Sequence, residues 1–336
     1  MRCPECKQDQ KYKDGTRCKK CRYQFVFRKK DDNITDMALR QIIQRLSDNG
    51  QYAFTATQLA LEICRLWRKK TLGPAGCSVI ALIISVITGL IAFSKWNGLG
   101  GILLLAVILP LAIWLGQRGK STLSFSKACG IVSKYRQIHP INGLADGTAF
   151  RQQTPAADFL DPHYAPERIL VVERDELVDM LVRNRFHLTA KAAIVSRTGY
   201  PKGVFTACQA FLRNHPDTPV HVVHDASPQG FALATQLAAD PEWQFARQCL
   251  IDLGISSTSL KHDASLPWTP TDTSRTGGAF GGHPSKRLQA GYRIPLDYIG
   301  PKPMLSLLST AVVTGALLLT PEILSASGTE VEIDYG

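Results

Sequence analysis

Two C-x-x-C pairs lie within the first thirty residues, and they constrain the fold more than any other feature of the chain. The pairs are Cys3 with Cys6 and Cys18 with Cys21. Two such turns across a short hairpin place four thiolates around one ion, in the tetrahedral arrangement that structural zinc favours. A segment this short buries too little apolar surface to fold alone, so we expect the metal to supply much of its folding free energy. The alternatives are two disulfides, which need an oxidising compartment, or a redox C-x-x-C, which belongs in a βαβ context.

Residues 1–30 resemble the zinc-ribbon family, and the ligand pattern of that family falls on the same four cysteines. The resemblance implies a small module held together by structural zinc. It implies no reaction at the metal, because four protein ligands leave no open coordination position.

Positive charge is concentrated in this module. The 336-residue chain has a formal net charge of +11, residues 1–30 contribute +8, and residues 121–336 sum to −1. The surplus of Lys and Arg predicts contact with the phosphates of nucleic acid or with anionic lipid headgroups. The alternative is a solvated face that offsets the charge of roughly −2 on a zinc–tetrathiolate centre. With 45% hydrophobic residues, the composition excludes an intrinsically disordered chain.

Two long apolar runs occupy residues 74–94 and 98–116, and neither contains a charged residue. About twenty apolar residues span the hydrocarbon core of a bilayer as a helix. Since only three residues separate the runs, they predict a transmembrane α-hairpin, with a buried hairpin of a globular fold as the alternative. Basic residues flank the outer ends of both runs, which predicts an integral membrane protein with both termini cytoplasmic and membrane lipid as a partner.

Short apolar runs alternate with helical patterns from residue 169 onward. The runs cover 169–172, 192–195 and 219–224. This alternation predicts a parallel β-sheet with helices on both faces, and ligands of such sheets bind beyond the carboxyl ends of the strands. Glu173 and Asp225 fall at those ends.

These strand ends resemble the Toprim domain, in the type found in topoisomerase VI A subunits and the related meiotic double-strand-break proteins. The likeness covers about residues 169–255. The Glu after the family's first strand falls on Glu173, its Gly-x-Pro turn on Gly199–Pro201, and its Asp-x-Asp-Pro-x-Gly motif on residues 225–230. The resemblance implies catalytic Glu173 and Asp225 that hold Mg²⁺.

The chain departs from the family pattern in two places. Ser227 stands where the family has its second Asp, so it offers Mg²⁺ only a weak or water-mediated contact, and a two-metal centre is disfavoured. The segment 120–168 is short for the winged-helix module that carries the family's nucleophilic Tyr. Cleavage through a phosphotyrosine is therefore disfavoured.

The predicted fold class is multidomain, combining a small zinc ribbon, a transmembrane hairpin and a cytoplasmic α/β domain with a Toprim-like sheet. Its parts are, in order, the ribbon (1–30), a helical linker (31–72), two transmembrane helices (73–117), a linker or helical segment (118–168), the α/β domain (169–255) and a loop-rich extension with a packed helix (256–336).

Three functions are open on these grounds. The first is a membrane-anchored protein that binds or cleaves nucleic acid with Mg²⁺, as in defence against foreign DNA. The second is a non-catalytic adaptor with a degenerate Toprim domain that binds a protein partner, a second copy of itself, nucleic acid or a nucleotide. The third is an effector that acts through its hairpin.

Overall fold

The computed structural model describes residues 1–70, 125–151, 166–243, 245–255, 268–270 and 286–316. The chain divides into two compact units. One consists of Met1–Leu61 together with Cys129–Gly336, and the other is Glu62–Ala128. The candidate functional residues all belong to the first unit.

The helices and strands of the described residues are numbered here in chain order. The helices are α1 (Lys29–Asp32), α2 (Asp36–Leu46), α3 (Ala56–Lys70), α4 (Phe125–Arg136), α5 (Asp175–Arg183), α6 (Phe186–Thr189), α7 (Lys202–Asn214), α8 (Pro228–Ala239), α9 (Lys286–Gln289) and α10 (Pro301–Thr314). The strands are β1 (Phe54–Thr55), β2 (Leu144–Ala145), β3 (Arg168–Val172), β4 (Ala192–Ser196), β5 (Val220–Val223), β6 (Leu250–Asp252), β7 (Thr269–Pro270) and β8 (Tyr292–Arg293). Single 3₁₀ turns cover Tyr12–Asp14, Arg247–Cys249 and Leu296–Tyr298.

The central sheet is parallel, with strand order β4-β3-β5-β6. Val171 of β3 lies opposite Val195 of β4 and Val222 of β5. All three valines are fully buried, because helices cover a parallel sheet on both faces and leave its strands no solvated side. The predicted α/β domain with a parallel sheet is thus confirmed, and β6 adds a strand that the sequence pattern did not indicate.

Local sequence explains where the helices beside this sheet begin. The Ser227 hydroxyl accepts a hydrogen bond from the Gly230 N–H at 2.9 Å and so caps α8, and Pro228 follows at the first helical position. Asp175 and Glu176 lie in the first turn of α5, where the positive end of the helix dipole stabilises their carboxylates. Both helices therefore start directly after a strand end and place polar residues at the same edge of the sheet.

The segment predicted as a helical linker forms two helices. Thr35 caps α2 by accepting from the Ala38 N–H at 3.2 Å. The chain then turns through Asp48 and Asn49, which both have positive φ, and forms the short strand β1 before α3 begins. Strand β1 pairs in parallel with β2.

The membrane part of the predicted fold class requires correction. No helix in the described ranges is long and apolar enough to cross a membrane. The longest of them, α3, has 15 residues and measures about 22 Å at 1.5 Å per residue, against a hydrocarbon core of about 30 Å. The runs at 74–94 and 98–116, on which the transmembrane hairpin and the integral-membrane localisation depended, lie outside the described residues.

The packed helix predicted within the C-terminal extension (256–336) corresponds to α10. This helix buries Met304, Leu308, Ala311 and Val312. It ends at Thr314, and the capping residue Gly315 has a φ of 71°, the left-handed conformation typical of a helix C-terminus.

Candidate functional site

Four cysteine sulfurs converge in the N-terminal module. The Sγ atoms of Cys3 and Cys21 lie 3.4 Å apart, those of Cys6 and Cys18 lie 3.5 Å apart, and all four lie within 4.8 Å of one another. Sulfurs bound tetrahedrally at about 2.3 Å from one ion are separated by about 3.8 Å, whereas a disulfide needs about 2.05 Å. The four thiols are free, and their spacing fits one metal ion.

Two equivalent turns build this cluster. In the first, the Lys7 N–H donates to the Cys3 carbonyl at 3.0 Å, and in the second the Arg22 N–H donates to the Cys18 carbonyl at 2.9 Å. Lys7 and Arg22 each follow the second cysteine of a pair and have φ of 58° and 62°. The repetition brings both pairs to the same geometry, so each turn presents two sulfurs to a shared centre.

Backbone N–H groups point at the sulfurs. The N–H of Cys21 lowers the pKa of the Cys18 thiol to about 6 and so favours the thiolate that a metal requires. Burial raises the pKa of the Cys3 thiol to about 12, although the N–H groups of Cys6 and Glu5 act in the opposite direction. A cation at the centre of the cluster would supply the positive charge that a buried thiolate at Cys3 needs.

A buried polar network attaches the module to the helices that follow it. The Tyr23 hydroxyl donates to Asp36 Oδ1 at 3.1 Å and lies 3.2 Å from the Tyr135 hydroxyl. Asp36 also accepts from the N–H groups of Val26 and Phe27, at 3.0 and 3.1 Å. Because Asp36 is only 2% exposed, these bonds replace the water that its carboxylate loses.

Ring stacking and exposed ion pairs complete the attachment. The His139 ring stacks on Tyr23 at 4.4 Å between centroids, and His139 Nε2 donates to the Gln24 carbonyl at 2.7 Å. The ion pair between Arg40 and Glu5 measures 2.5 Å. Residues 1–30 are therefore packed against the rest of their unit.

The predicted Toprim residues lie at the carboxyl edge of the central sheet. Strands β4 and β5 flank β3 on opposite sides, so the chain reverses its strand order between β3 and β5. Ligand sites of open α/β sheets form at such a reversal. Glu173 directly follows β3 and Asp225 lies just after β5, and the Asp225 N–H donates to Glu173 Oε2 at 2.8 Å. The structure thus brings together the two acidic residues that the sequence selected.

Protein donors already occupy the Asp225 carboxylate. Its Oδ1 accepts from the Leu296 N–H at 2.7 Å, and its Oδ2 accepts from Arg293 Nη1 at 3.0 Å. Arg174 Nε lies 3.4 Å from the same Oδ2. Asp225 is fully buried, so these contacts replace its hydration.

Arg174 links this carboxylate to further acidic groups. Its Nη1 donates to Glu176 at 2.6 Å and to Thr57 Oγ1 at 3.2 Å, and its Nη2 donates to the fully buried Asp297. Burial by itself lowers the pKa of Arg174, but the charge of Asp225 and the other carboxylates outweighs burial and holds this pKa well above its ordinary value. The Arg174 guanidinium therefore stays positively charged in contact with these acidic side chains.

The contacts of the residues at this edge do not fit Mg²⁺, so the predicted magnesium site has no support from the structure. The ion takes carboxylate oxygens and several waters in an octahedron, whereas both oxygens of Asp225 accept from protein N–H groups. Burial raises the pKa of Glu173, and the charge of Asp225 raises it further, while Glu173 Oε2 accepts from the Asp225 N–H at 2.8 Å. Within the described residues, the group of His, Cys, Asp or Glu side chains that converges closely enough for a metal is the cysteine cluster.

Ser227 and His224 have structural partners. Ser227 was predicted as a weak Mg²⁺ contact, but its hydroxyl is buried as the cap of α8. His224 Nδ1 lies 2.7 Å from the Asp225 carbonyl, and its Nε2 lies 3.1 Å from Asp252 Oδ1. A Cβ on Gly254 would lie 1.9 Å from His224 Nε2, so only glycine fits beside this ring.

The Gly199–Pro201 turn holds a tyrosine that the motif did not single out. The Tyr200 hydroxyl donates to the buried Asp179 at 2.5 Å and accepts from the Phe150 N–H at 2.8 Å. The turn therefore anchors α5 and the segment before β3, and its polar contacts are internal to the fold.

Sequence reasoning missed Arg174, Arg293 and Asp297. The one available signal was Arg174, which follows the strand-ending Glu173 directly. Arg293 and Asp297 lie about seventy residues beyond Asp225, within a stretch predicted as loop.

No protein-family model, curated protein or solved structure matches this chain. The likenesses to the zinc ribbon and to the Toprim domain therefore rest on the residues quoted above.

Proposed function

We propose that this chain is a nucleic-acid-binding protein. Its cysteine module, folded around one Zn²⁺, contacts phosphates, and its Toprim-like α/β body acts as a scaffold that does not cleave. Zinc is the metal we expect, because four thiolates in a tetrahedron with C-x-x-C spacing are the ligand set of structural zinc sites.

The supporting observation is the charge and exposure of the module. Lys and Arg side chains surround the cysteine cluster, and those that are exposed are Lys7, Lys11, Lys13, Arg17, Lys19, Lys20, Arg22, Arg28, Lys29 and Lys30. Phosphate contacts by Lys and Arg release counterions and supply most of the affinity of sequence-independent binding. The network around Tyr23 and Asp36 fixes the module on its unit, so these charges are presented by a rigid surface.

The carboxyl edge of the sheet, with Glu173, Asp225 and Asp297, is called the acidic edge here, and its contacts disfavour cleavage. Metal-dependent hydrolysis needs a cation that activates water, and Arg293 and Arg174 already face the carboxylate that would bind it. This favours the binding role over Mg²⁺-dependent nuclease activity.

Charge reversal on the module tests the proposal. The triple variant Lys11→Glu, Lys13→Glu and Lys20→Glu changes three exposed side chains and leaves the cysteines intact. We expect its affinity for a labelled 20-base-pair duplex, measured by fluorescence anisotropy, to fall at least about tenfold at low salt. We also expect the slope of log K against log salt to become less negative by about 2 to 3 units.

The matched control reverses three exposed charges on the α/β body, in the variant Lys202→Glu, Arg213→Glu and Arg247→Glu. We expect a smaller loss of affinity from this control than from the module variant. Equal losses in both triple variants, or no measurable duplex binding by the wild type, would contradict the proposal. A protein adaptor is the remaining candidate in the second case.

A further inference from the structure

The carboxyl edge of the sheet holds a network of buried charges that the proposed function does not use. Its acidic members come from distant parts of the chain. They include Asp225 after β5 and Asp297 in the turn Leu296–Tyr298, and both are fully buried. A buried ionised carboxylate loses its hydration, and hydrogen-bond donors or a neighbouring cation must replace it. A cation that contacts both carboxylates would offset part of this loss for each.

Two guanidinium groups supply that charge. Arg174 contacts Asp225 and Asp297, and Arg293 contacts the same oxygen of Asp225, Oδ2, as Arg174 does. Their combined charge of +2 equals that of one divalent metal ion. The Arg174 side chain is only 11% exposed and Arg293 is 23% exposed, so neither is an ordinary surface ion pair.

The position of Arg174 matters as much as its charge. It follows Glu173 directly, at the strand reversal between β3 and β5 where open α/β sheets bind ligands. Its planar fork donates in different directions to Glu176, Thr57 and Asp297, which a compact ammonium cannot reproduce. The contact to Asp297 also attaches the segment 293–298 to the sheet, and the bridge between Ala226 and Ile294 runs alongside it.

We propose that Arg174 is a resident cation that replaces a divalent metal ion at this sheet edge, neutralises Asp225 and Asp297, and locks the segment 293–298 onto the strand ends. The edge is then a closed structural site that holds no exchangeable ion. The test below contains no nucleic acid, so its result is independent of the binding function proposed above.

The experiment compares melting temperatures of the zinc-loaded full chain in 10 mM MgCl₂ and in NaCl of matched ionic strength. We expect the wild type to melt at the same temperature in both. The variant Arg174→Met keeps the apolar stem and removes the charge, and we expect it to melt about 10 °C lower. We further expect Mg²⁺ to raise its melting temperature by several degrees, because the ion then replaces the missing charge.

Two further variants distinguish cation replacement from general damage. Arg185→Met removes an exposed Arg from the same unit and is expected to change the melting temperature by less than about 2 °C. The triple variant Arg174→Met, Asp225→Asn and Asp297→Asn removes the uncompensated carboxylates, so we expect it to be more stable than Arg174→Met and insensitive to Mg²⁺.

Any one of three results overturns the proposal. The first is a higher melting temperature of the wild type in MgCl₂ than in NaCl, and the second is the same melting temperature for Arg174→Met and Arg185→Met. The third is a lowered melting temperature of Arg174→Met that Mg²⁺ does not raise. If Arg174→Met does not fold at all, the triple variant decides. Recovery of folding supports the proposal, and failure to recover overturns it.

Discussion

The cysteine cluster and the acidic edge of the sheet both gather groups that bind cations in other proteins, and they differ in what faces the ligand atoms. In the cluster, Sγ atoms face one another at 3.4 and 3.5 Å, and backbone N–H groups favour their thiolates. At the acidic edge, the oxygens of Asp225 face Arg293, Arg174 and the Leu296 N–H. Ligand types alone therefore do not define a metal site, because the cation can be part of the protein.

The comparison predicts its largest effect at the cysteines. Cys18→Ser removes one of four ligands, and apparent binding free energies of structural zinc are about 10–16 kcal/mol. We expect loss of bound zinc and loss of protection from amide hydrogen exchange throughout residues 1–30. Cys249→Ser, which changes a cysteine outside the cluster, is expected to retain both. If Cys18→Ser retained its zinc, Cys18 would not be a ligand of the metal, which would contradict the account.

The buried carboxylate of Asp36, which attaches the cysteine module to α2, should give the next largest effect. Asp36→Asn replaces the acceptor of three hydrogen bonds, from Tyr23 and from the N–H groups of Val26 and Phe27. We expect a loss of about 2–3 kcal/mol in the free energy of unfolding, measured by urea denaturation of the zinc-loaded protein. Asp9→Asn, at an exposed position, is the control, and an equal effect from both variants would contradict the network described for Asp36.

At His224, beside the acidic edge, we expect a smaller effect on the free energy of unfolding, and one that depends on pH. Burial lowers the pKa of His224, but the hydrogen bond to Asp252 and the charge of that carboxylate outweigh burial and raise the pKa above its ordinary value of 6.5. The protonated ring favours the folded state, so its contribution to stability is complete below pH 6.5 and is lost as the pH rises through the raised value.

We therefore expect wild type and Asp252→Asn to differ in unfolding free energy by about 1 kcal/mol at pH 6, and by less at pH 8.5. Urea denaturation at both pH values measures this difference. His215→Gln, on an exposed surface, serves as the control for nonspecific effects of pH. A difference that grows toward pH 8.5 would contradict a stabilising imidazolium.

The smallest effect is expected at the exposed ion pair between Glu5 and Arg40. Although its atoms are 2.5 Å apart, the Glu5 side chain is 49% exposed, and ion pairs on the surface contribute about 0–1 kcal/mol. Glu5→Gln should change the free energy of unfolding by less than about 1 kcal/mol, as measured by the same denaturation. A loss as large as that of Asp36→Asn would mean that the exposed contact holds the module in place.

The elements that sequence analysis predicted have local causes. The C-x-x-C spacing fixes which sulfurs converge, and the apolar runs at 169–172, 192–195 and 219–224 correspond to β3, β4 and β5 within two residues. Glu173 and Asp225 are adjacent because parallel strands end at one edge of the sheet. Each of these inferences needs only neighbouring residues and the geometry of strands and helices.

What could not be predicted depends on contacts between distant segments. Arg293 and Asp297 reach Asp225 and Arg174 from a stretch without periodicity, so nothing in the sequence indicated that they would close the acidic edge. For this reason the sequence could not show that protein donors contact the carboxylate predicted to bind magnesium. Tyr135, which joins the module through Tyr23, is separated from it by more than one hundred residues.

The central claim is that the cysteine cluster binds the chain's metal ion and that the acidic edge binds none. Metal content by inductively coupled plasma mass spectrometry, after dialysis against buffer with both Zn²⁺ and Mg²⁺ and then against metal-free buffer, tests it most directly. The account predicts one zinc per chain, its loss in Cys18→Ser, and its retention in a variant with Asp225→Asn. Titration of the wild type with Mn²⁺, followed by water-proton relaxation, should show no site that Asp225→Asn abolishes. A chain without zinc, or a Mn²⁺ site that depends on Asp225, would contradict the account.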